Sequence, residues 1–281
     1  MSIKIMVDSS SDIGSLEAKQ MGVYMVPMEV SIGDNTYYDG VDITPAEFYN
    51  KLIESDALPQ TSLINQFRWE EEYEKALKEC DELIVLTISS KLSGTYNSAL
   101  EASKKFEGVY VIDTLSATIG ERLLVLYAKD LIKNSKSAKE IVDIINVEKH
   151  KINIMAMVNT LEYLKRGGRI SATTAFVGSM LSIKPVVSII DGEVKMIGKA
   201  MGSKKANNLI NSLVETKGGI DFSKPFGVIY SGNEFELLNK YVEDSSHLWK
   251  ERVSKVPAYV IGSTIGTHVG PGTIGVAFFE K

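Results

Sequence analysis

Ser93, Gly94 and Thr95 stand where an apolar run has just ended and a helical pattern begins, in LIVLTISSKLSGTYNSALEA (83–102). Hydroxyls beside the free amides of a helix start can donate to an anion. Three other clusters share this character. Thr61 and Ser62 lie in PQTS (59–62), just before a helical stretch; His268 lies in STIGTHVGPG (263–272); VDSSSD (7–12) follows the first apolar run. In parallel α/β sheets ligands gather at the carboxyl ends of strands, so all four clusters are expected to converge on one pocket. Hydroxyls, amides and one histidine suit a single carboxylate, which needs only two or three good donors. A phosphate usually draws more positive charge.

Each of these residues also has a plain structural reading. Thr61 or Ser62 is a natural helix N-cap, and Ser93 and Thr95 could cap as well. His268 has no acid near it in sequence and, on the residues alone, reads first as a core histidine. Asp8 and Asp12, with serines between them, suit an Asx turn better than a metal. Arg166 and Arg169, in KRGGRIS, are either solvated cations at a helix C-terminus or contacts for a partner or phosphate at the cleft mouth.

Several catalytic signatures are missing. There is no G-x-S-x-G elbow, no S-x-x-K and no G-x-x-x-x-G-K-[ST] loop. His150, His247 and His268 are scattered and Cys80 is alone, so no metal-type spacing appears. GPGTIG (270–275) spells a dinucleotide fingerprint, but its glycines lead into a strand rather than a helix. It reads as a tight turn whose amides, with His268, face a cleft. No metal and no cofactor are implied.

The elements that must position these residues alternate between strands and helices. IKIMVD (3–8), VYMVPMEV (23–30), ELIVLT (82–87), VYVID (109–113), INIMAMV (152–158), FGVIYSG (226–232), AYVIG (258–262) and TIGVAFF (273–279) read as strands. TPAEFYNKL opens a helix with Thr44 as cap, Pro45 at the first position and Glu47 closing a capping box. Helices are expected over 64–79, 115–133, 138–149, 204–216 and 234–252, with another in TLEYLKRGGRIS (160–171). PVVSIIDGEVKMIG is a hairpin turning at Asp191-Gly192. The alternation predicts an α/β fold with a mainly parallel sheet. The pattern restarts near 148–151, giving an expected N-terminal α/β domain over 1–150 and a C-terminal α/β domain over 151–281.

The bulk numbers agree. At 281 residues, 44 % hydrophobic and 24 % charged, the chain can bury a core without staples. A net charge of −5 argues against a nucleic-acid surface. Cys80, at a helix end beside acids that raise a thiol pKa, reads as inert packing. Met155, Met157, Met180 and Met196 read as core. No apolar run approaches the ~20 residues of a membrane span, and the start is too short and polar for a signal peptide; the expected location is the cytoplasm.

Taken together, VDSSSD, PQTS, SSKLSGTYNSA, NTLEYLKRGGRIS, GKAMGSKKA and GTHVGPGTIGVAFF resemble the DegV family of fatty-acid-binding proteins, in family order across nearly the whole chain. The resemblance implies a two-domain α/β architecture with a long-chain fatty acid held between the domains and no catalytic residue of its own. It assigns the carboxylate to Thr61, Ser93 and His268, helped by Ser62, Gly94 and Thr95. It also implies a partner, the ATP-binding subunit of a bacterial fatty acid kinase, which makes acyl phosphate for phospholipid synthesis. Arg166, Arg169, Lys199, Lys204 and Lys205 would face that partner. One departure stands out: where the family typically has arginine, GKAMGSKKA has Met201. Two other functions remain open beside this one, a lipid carrier or sensor without a kinase partner, and an acyl hydrolase or transferase using Ser93 and His268.

Overall fold

The computed structural model describes residues 2–55, 57–171 and 182–281. Its first part runs β1 (Ile3–Asp8), α1 (Ser15–Met21), β2 (Tyr24–Val26), β3 (Glu29–Ile32), β4 (Asn35–Tyr38), α2 (Pro45–Glu54), β5 (Gln60–Ser62), α3 (Gln66–Ala76), β6 (Glu82–Thr87), α4 (Thr95–Ser103), β7 (Val109–Asp113), α5 (Thr118–Lys133) and α6 (Ala138–Glu148). Strands β2-β1-β6-β7 form a wholly parallel sheet. Its apolar runs are continuous because both faces are covered. Met6, Leu83 and Val85 pack with Trp69 and Tyr73 of α3, while Ile5, Val7, Ile84 and Leu86 pack with residues of α5 and α6. Cys80 is buried in the first of these layers.

VYMVPMEV is not one strand. Pro27 has no N–H for a ladder. The chain leaves the parallel sheet after Val26, and β3 enters a separate antiparallel sheet, β4-β3-β5.

The second part runs β8 (Ile152–Met157), α7 (Glu162–Arg166), β9 (Ile183–Ile190), β10 (Glu193–Met201), α8 (Ser203–Thr216), β11 (Gly227–Tyr230), α9 (Glu236–Asp244), β12 (Ala258–Val260), α10 (Ser263–Val269) and β13 (Ile274–Phe279). These strands make a six-stranded sheet, β10-β9-β8-β13-β11-β12. Parallel pairing, complete in the first sheet, is confined here to β11 with β12; the other pairs are antiparallel. The Asp191-Gly192 turn forces this for β9 and β10, with φ of 52° and 83°, both positive as a type I′ turn requires. Helix α5 joins the two sheets: Ile119, Leu123 and Leu124 share a core with Ile154, Ile229, Ala277 and Phe279.

Other boundaries moved for identifiable reasons. Asn65 caps α3 through its side chain, so the helix starts at Gln66 and Thr61 and Ser62 are left on β5. The stretch 234–252 yields only α9 and a 3-10 turn, Ser246–Leu248. STIGTHVGPG, read only as a polar cluster, holds a helix, α10, over Ser263–Val269, and the turn expected in GPGTIG follows it at Pro271–Gly272. The cap of α10 comes from elsewhere in the chain, which no local pattern reveals. Met155 and Met157 are buried in the second core and Met196 is partly buried; Met180 lies outside the described residues. Among the described residues no helix is long and apolar enough to cross a membrane.

Candidate functional site

A partly open chamber of about 260 Å³ lies where the three sheets meet. Its walls are apolar: Ile88 and Leu92 after β6, Ile154 and Ala156 on β8, Val187 and Ile189 on β9, and Ile261 and Ile265 at and within α10. Thr61, Ser62, Ser93, Gly94 and His268 line the same chamber. Three of the four polar clusters therefore meet. Thr61 and His268 also line an outer cleft with Pro59, Tyr163, Arg166 and Arg169, so this pair stands between the apolar chamber and a polar vestibule.

Thr61 arrives on β5, where it sits opposite Val30. His268 arrives on α10, one helical turn beyond Thr264 and Ile265. Thr61 Oγ1 and His268 Nε2 are 3.0 Å apart, a hydrogen bond. Burial, reinforced by the Arg169 guanidinium, holds the imidazole pKa down to about 4. His268 is thus neutral at pH 7 and can donate one proton. Its Nδ1 is buried without a partner among the described residues. Gly167 makes room for the ring: a β-carbon there would lie 2.2 Å from His268 Nδ1.

Ser93 lies just ahead of α4, whose N-cap is Gly94 with no side-chain cap. Ser93 Oγ is 2.9 Å from Thr95 Oγ1 and accepts from the Thr95 amide at 3.3 Å. Thr95 itself is fully buried and is not part of the chamber lining; its hydroxyl also receives the Ile64 amide at 3.4 Å. Its place is behind Ser93. No hydrogen bond joins Ser93 to His268 among the described residues, since Nε2 is turned to Thr61. The Ser–His pairing that a nucleophilic serine needs is absent from this arrangement.

The cationic candidates separate. Arg169 lines both chamber and vestibule, its Nε donating to Leu92 O at 3.1 Å and its Nη1 to Gly167 O. Arg166 is in the vestibule, paired with Glu162 at 2.5 Å. Lys199, Lys204 and Lys205 are exposed on β10 and the first turn of α8, outside both cavities.

The fourth cluster, VDSSSD, does not reach the chamber. It forms a buried scaffold behind the wall. Asp8 accepts from the Ser10 and Ile88 amides at 2.9 and 2.8 Å, the first as an Asx turn; Ser9 Oγ accepts from the Met28 amide at 3.0 Å. Ser10 Oγ donates to Glu121 Oε2 at 2.7 Å. Burial raises the pKa of Asp8 to about 6 and of Asp12 to about 7, and pushes Glu121 well above the usual carboxylate range.

Two carboxylates position the site in a way the sequence did not signal: Asp39 lies in none of the marked clusters, and Asp12 reads only as part of an Asx turn. Asp39 accepts from the Ser263 amide and hydroxyl at 3.0 and 2.5 Å and from the Thr264 amide at 3.1 Å, capping α10 from 224 residues away. Asp12 accepts from the adjoining Gly262 amide at 2.8 Å. Carboxylates are favourable at a helix N-terminus. Thr118, in the chamber wall, has φ of 51°, a left-handed backbone costly for a β-branched residue. Its hydroxyl is held by Asp12.

Comparison with known proteins places this architecture. Residues 2–281 match the family model described as "Uncharacterised protein, DegV family". A DegV domain-containing protein of Caldanaerobacter subterraneus subsp. tengcongensis is 36 % identical over 283 residues, covering 99 % of each chain. Among solved structures, a DegV family protein from Thermus thermophilus, described for its fatty acid binding, superposes with a TM-score of 0.89 at 33 % identity over 100 % of both chains. DegV from Bacillus subtilis, described as a fatty acid binding protein, gives 0.84 at 29 % identity, again over 100 % of both. With residues 2–281 matched by the family model and a 36 % identical relative covered over 99 % of each chain, the chain belongs to the DegV family.

Proposed function

We propose that this protein binds one long-chain fatty acid, tail in the apolar chamber and carboxylate on Thr61, Ser93 and His268, with Ser62 and Gly94 beside it. The observation that carries the reading is the meeting of three uncharged donors with one apolar cavity that ends at them. Buried methylenes contribute roughly 0.8 kcal/mol each, so the tail supplies most of the affinity and the donors fix orientation. A neutral histidine suits the task, because an imidazolium buried beside Arg169 would be opposed by both desolvation and like charge. The two fatty-acid-binding relatives support the same ligand class.

In this proposal the protein is a carrier rather than an enzyme, built as two lobes, 1–150 and 151–281. It presents the carboxylate through the vestibule of Arg166 and Arg169 to an ATP-binding kinase subunit in the cytoplasm, for phosphorylation to acyl phosphate and use in phospholipid synthesis. Lys199, Lys204 and Lys205 belong to the docking face.

The direct experiment extracts natively purified protein with organic solvent and identifies the extract by mass spectrometry. About one fatty acid per chain is the expected result. A clean extract, with no uptake of added fatty acid, overturns the reading.

A further inference from the structure

Strands β8 and β9 are ladder partners where Met157 meets Val186 and Ala156 meets Val187, with the Val158 amide donating to Pro185 O at 3.0 Å. No ladder pair between them follows Val187. Ile154 and Ala156 of β8 and Val187, Ser188 and Ile189 of β9 line the chamber, so the cavity lies over this junction. β9 stays paired with β10 to the turn. The one irregularity in that ladder falls at the same level, a register shift between Met196 and Gly198 opposite Val187 and Val186. A bulge bends the strand that carries it. Past the bulge the outer half of the hairpin is paired only within itself, a two-stranded ribbon that contributes Ser188, Ile189 and Val194 to the chamber wall. Such a ribbon is marginal without outside support.

That support comes from the opposite side of the chamber. Ser89 Oγ donates to Gly192 O at the hairpin tip, at 2.8 Å, and accepts from the Lys91 amide at 3.2 Å. Ser89 is fully buried and its own carbonyl receives the Leu92 and Ser93 amides at 2.9 and 3.1 Å. One serine thus ties the hairpin tip to the loop that carries Ser93. The fit is close: a β-carbon at Gly192 would lie 2.5 Å from Ser89 Oγ, 3.2 Å from Lys91 Cγ and 3.3 Å from Leu115 Cδ2. Among the described residues no other side chain hydrogen-bonds the tip.

We propose that the outer β9–β10 hairpin is a strap hinged at the Met196–Gly198 bulge, and that Ser89 is the latch that sets how often the chamber opens to exchange its ligand. The proposal rests on the lipid-binding reading for the identity of what is exchanged. A latch made in both the empty and the loaded protein gates passage in both directions. Its loss speeds association and dissociation together and leaves affinity nearly unchanged.

The test uses the full chain and cis-parinaric acid, a fluorescent fatty acid, in stopped-flow. Removing one hydrogen bond worth about 0.5–1.5 kcal/mol should raise both rate constants of Ser89→Ala about three- to tenfold, with Kd within twofold of wild type. Unchanged rates, or faster dissociation alone with Kd weakened in proportion, overturn the latch. Hydrogen exchange on the wild-type protein needs no substitution and no bound lipid. Amides of 189–195 should exchange faster than those of Val186 and Val187, and Ser89→Ala should speed the outer set alone. Uniform exchange along the hairpin overturns the strap. If parinaric acid fails to bind, the lipid reading falls while the exchange data still decide the hinge.

Discussion

Thr61 Oγ1 and His268 Nε2 meet at 3.0 Å although 207 positions separate them in the chain. The same small sheet governs both. Thr61 is on β5, while Asp39, just beyond β4, caps the helix that brings His268. Moving that sheet would move both partners together, so the pair is set as a unit before any ligand arrives.

This coupling predicts non-additive substitutions. Hydrogen bonds to a charged group contribute about 1.5–3 kcal/mol, so Thr61→Val and His268→Ala should each weaken fatty-acid binding by roughly ten- to a hundredfold. The double variant should lose less than the product of the two, because each single change also releases the other's partner. Calorimetric titration with a single fatty acid at fixed salt reads all four corners of the cycle. Strict additivity would mean that the two side chains act on the ligand independently.

His268 should titrate unusually low. Free imidazole titrates near 6.5, and burial together with Arg169 brings this one to about 4. A depressed histidine binds its proton more readily in the unfolded chain. It leaves stability intact above pH 6.5 and removes it progressively as pH falls toward 4. A bound carboxylate favours the imidazolium and should move the midpoint back up. Following the His268 ring proton by NMR, with and without fatty acid, checks both shifts; a midpoint near 6.5 in the empty protein would contradict the burial argument.

Much of this was legible from sequence, and the reasons for the rest are physical. The capping box Thr44/Glu47, the strands IKIMVD and ELIVLT and the Asp191-Gly192 turn carry local signals, and each formed where its signal stood. Thr61, Ser93 and His268 were readable as donors, and they line one chamber. Three things had no local signature. Asp39 caps α10 across 224 residues, so the stretch carrying His268 holds no cap signal of its own and reads only as a polar cluster. Asn65, not Thr61 or Ser62, caps α3, which leaves the PQTS hydroxyls to a strand. VDSSSD looks like a ligand loop but spends its donors and acceptors on the backbone of Met28 and Ile88 and on Glu121. Polar residues after a strand serve a scaffold or a pocket equally well, and only the fold decides between them.

Gly167 is predicted to be indispensable for a steric reason alone. Its φ of −71° suits any residue, yet a β-carbon would sit 2.2 Å from His268 Nδ1. Gly167→Ala should push the imidazole off Thr61. Overpacking of this kind costs about 1–3 kcal/mol, and fatty-acid affinity should fall at least tenfold while the fold persists. Circular dichroism with a binding titration separates the two effects. Wild-type affinity in this variant would show that the ring need not hold its present pose.

Glu121 tests the buried scaffold. It is fully buried, Oε1 has no partner among the described residues, and burial and the nearby Asp8 raise its pKa. A raised carboxyl favours the folded state at low pH and costs stability as pH rises past the ordinary carboxylate range. Glu121→Gln removes that titration while keeping the shape and the Ser10 contact. The variant should match wild type in acid and melt higher at pH 8. Thermal denaturation across pH 5–8 measures the difference, and a lower melting temperature at pH 8 would mean that the ionised carboxylate is needed.

Met201 tests the partnership. It ends β10 with its side chain 60 % exposed, beside the exposed Lys204 and Lys205 at the start of α8. The DegV resemblance expects an arginine here, on the face that the proposed function assigns to docking a kinase subunit. A thioether cannot supply the planar, charged donors of a guanidinium, and Met201 is not among the residues that line the chamber. Lipid binding should therefore be indifferent to this position. Met201→Arg should leave fatty-acid affinity within twofold while raising acyl phosphate formation with an ATP-binding fatty acid kinase subunit at least tenfold. Equal acyl phosphate from both proteins would mean that the neighbouring lysines already complete the docking face. No product from either would separate this chain from the kinase and leave the carrier role, since fatty acid extracted from the same samples still reports the binding.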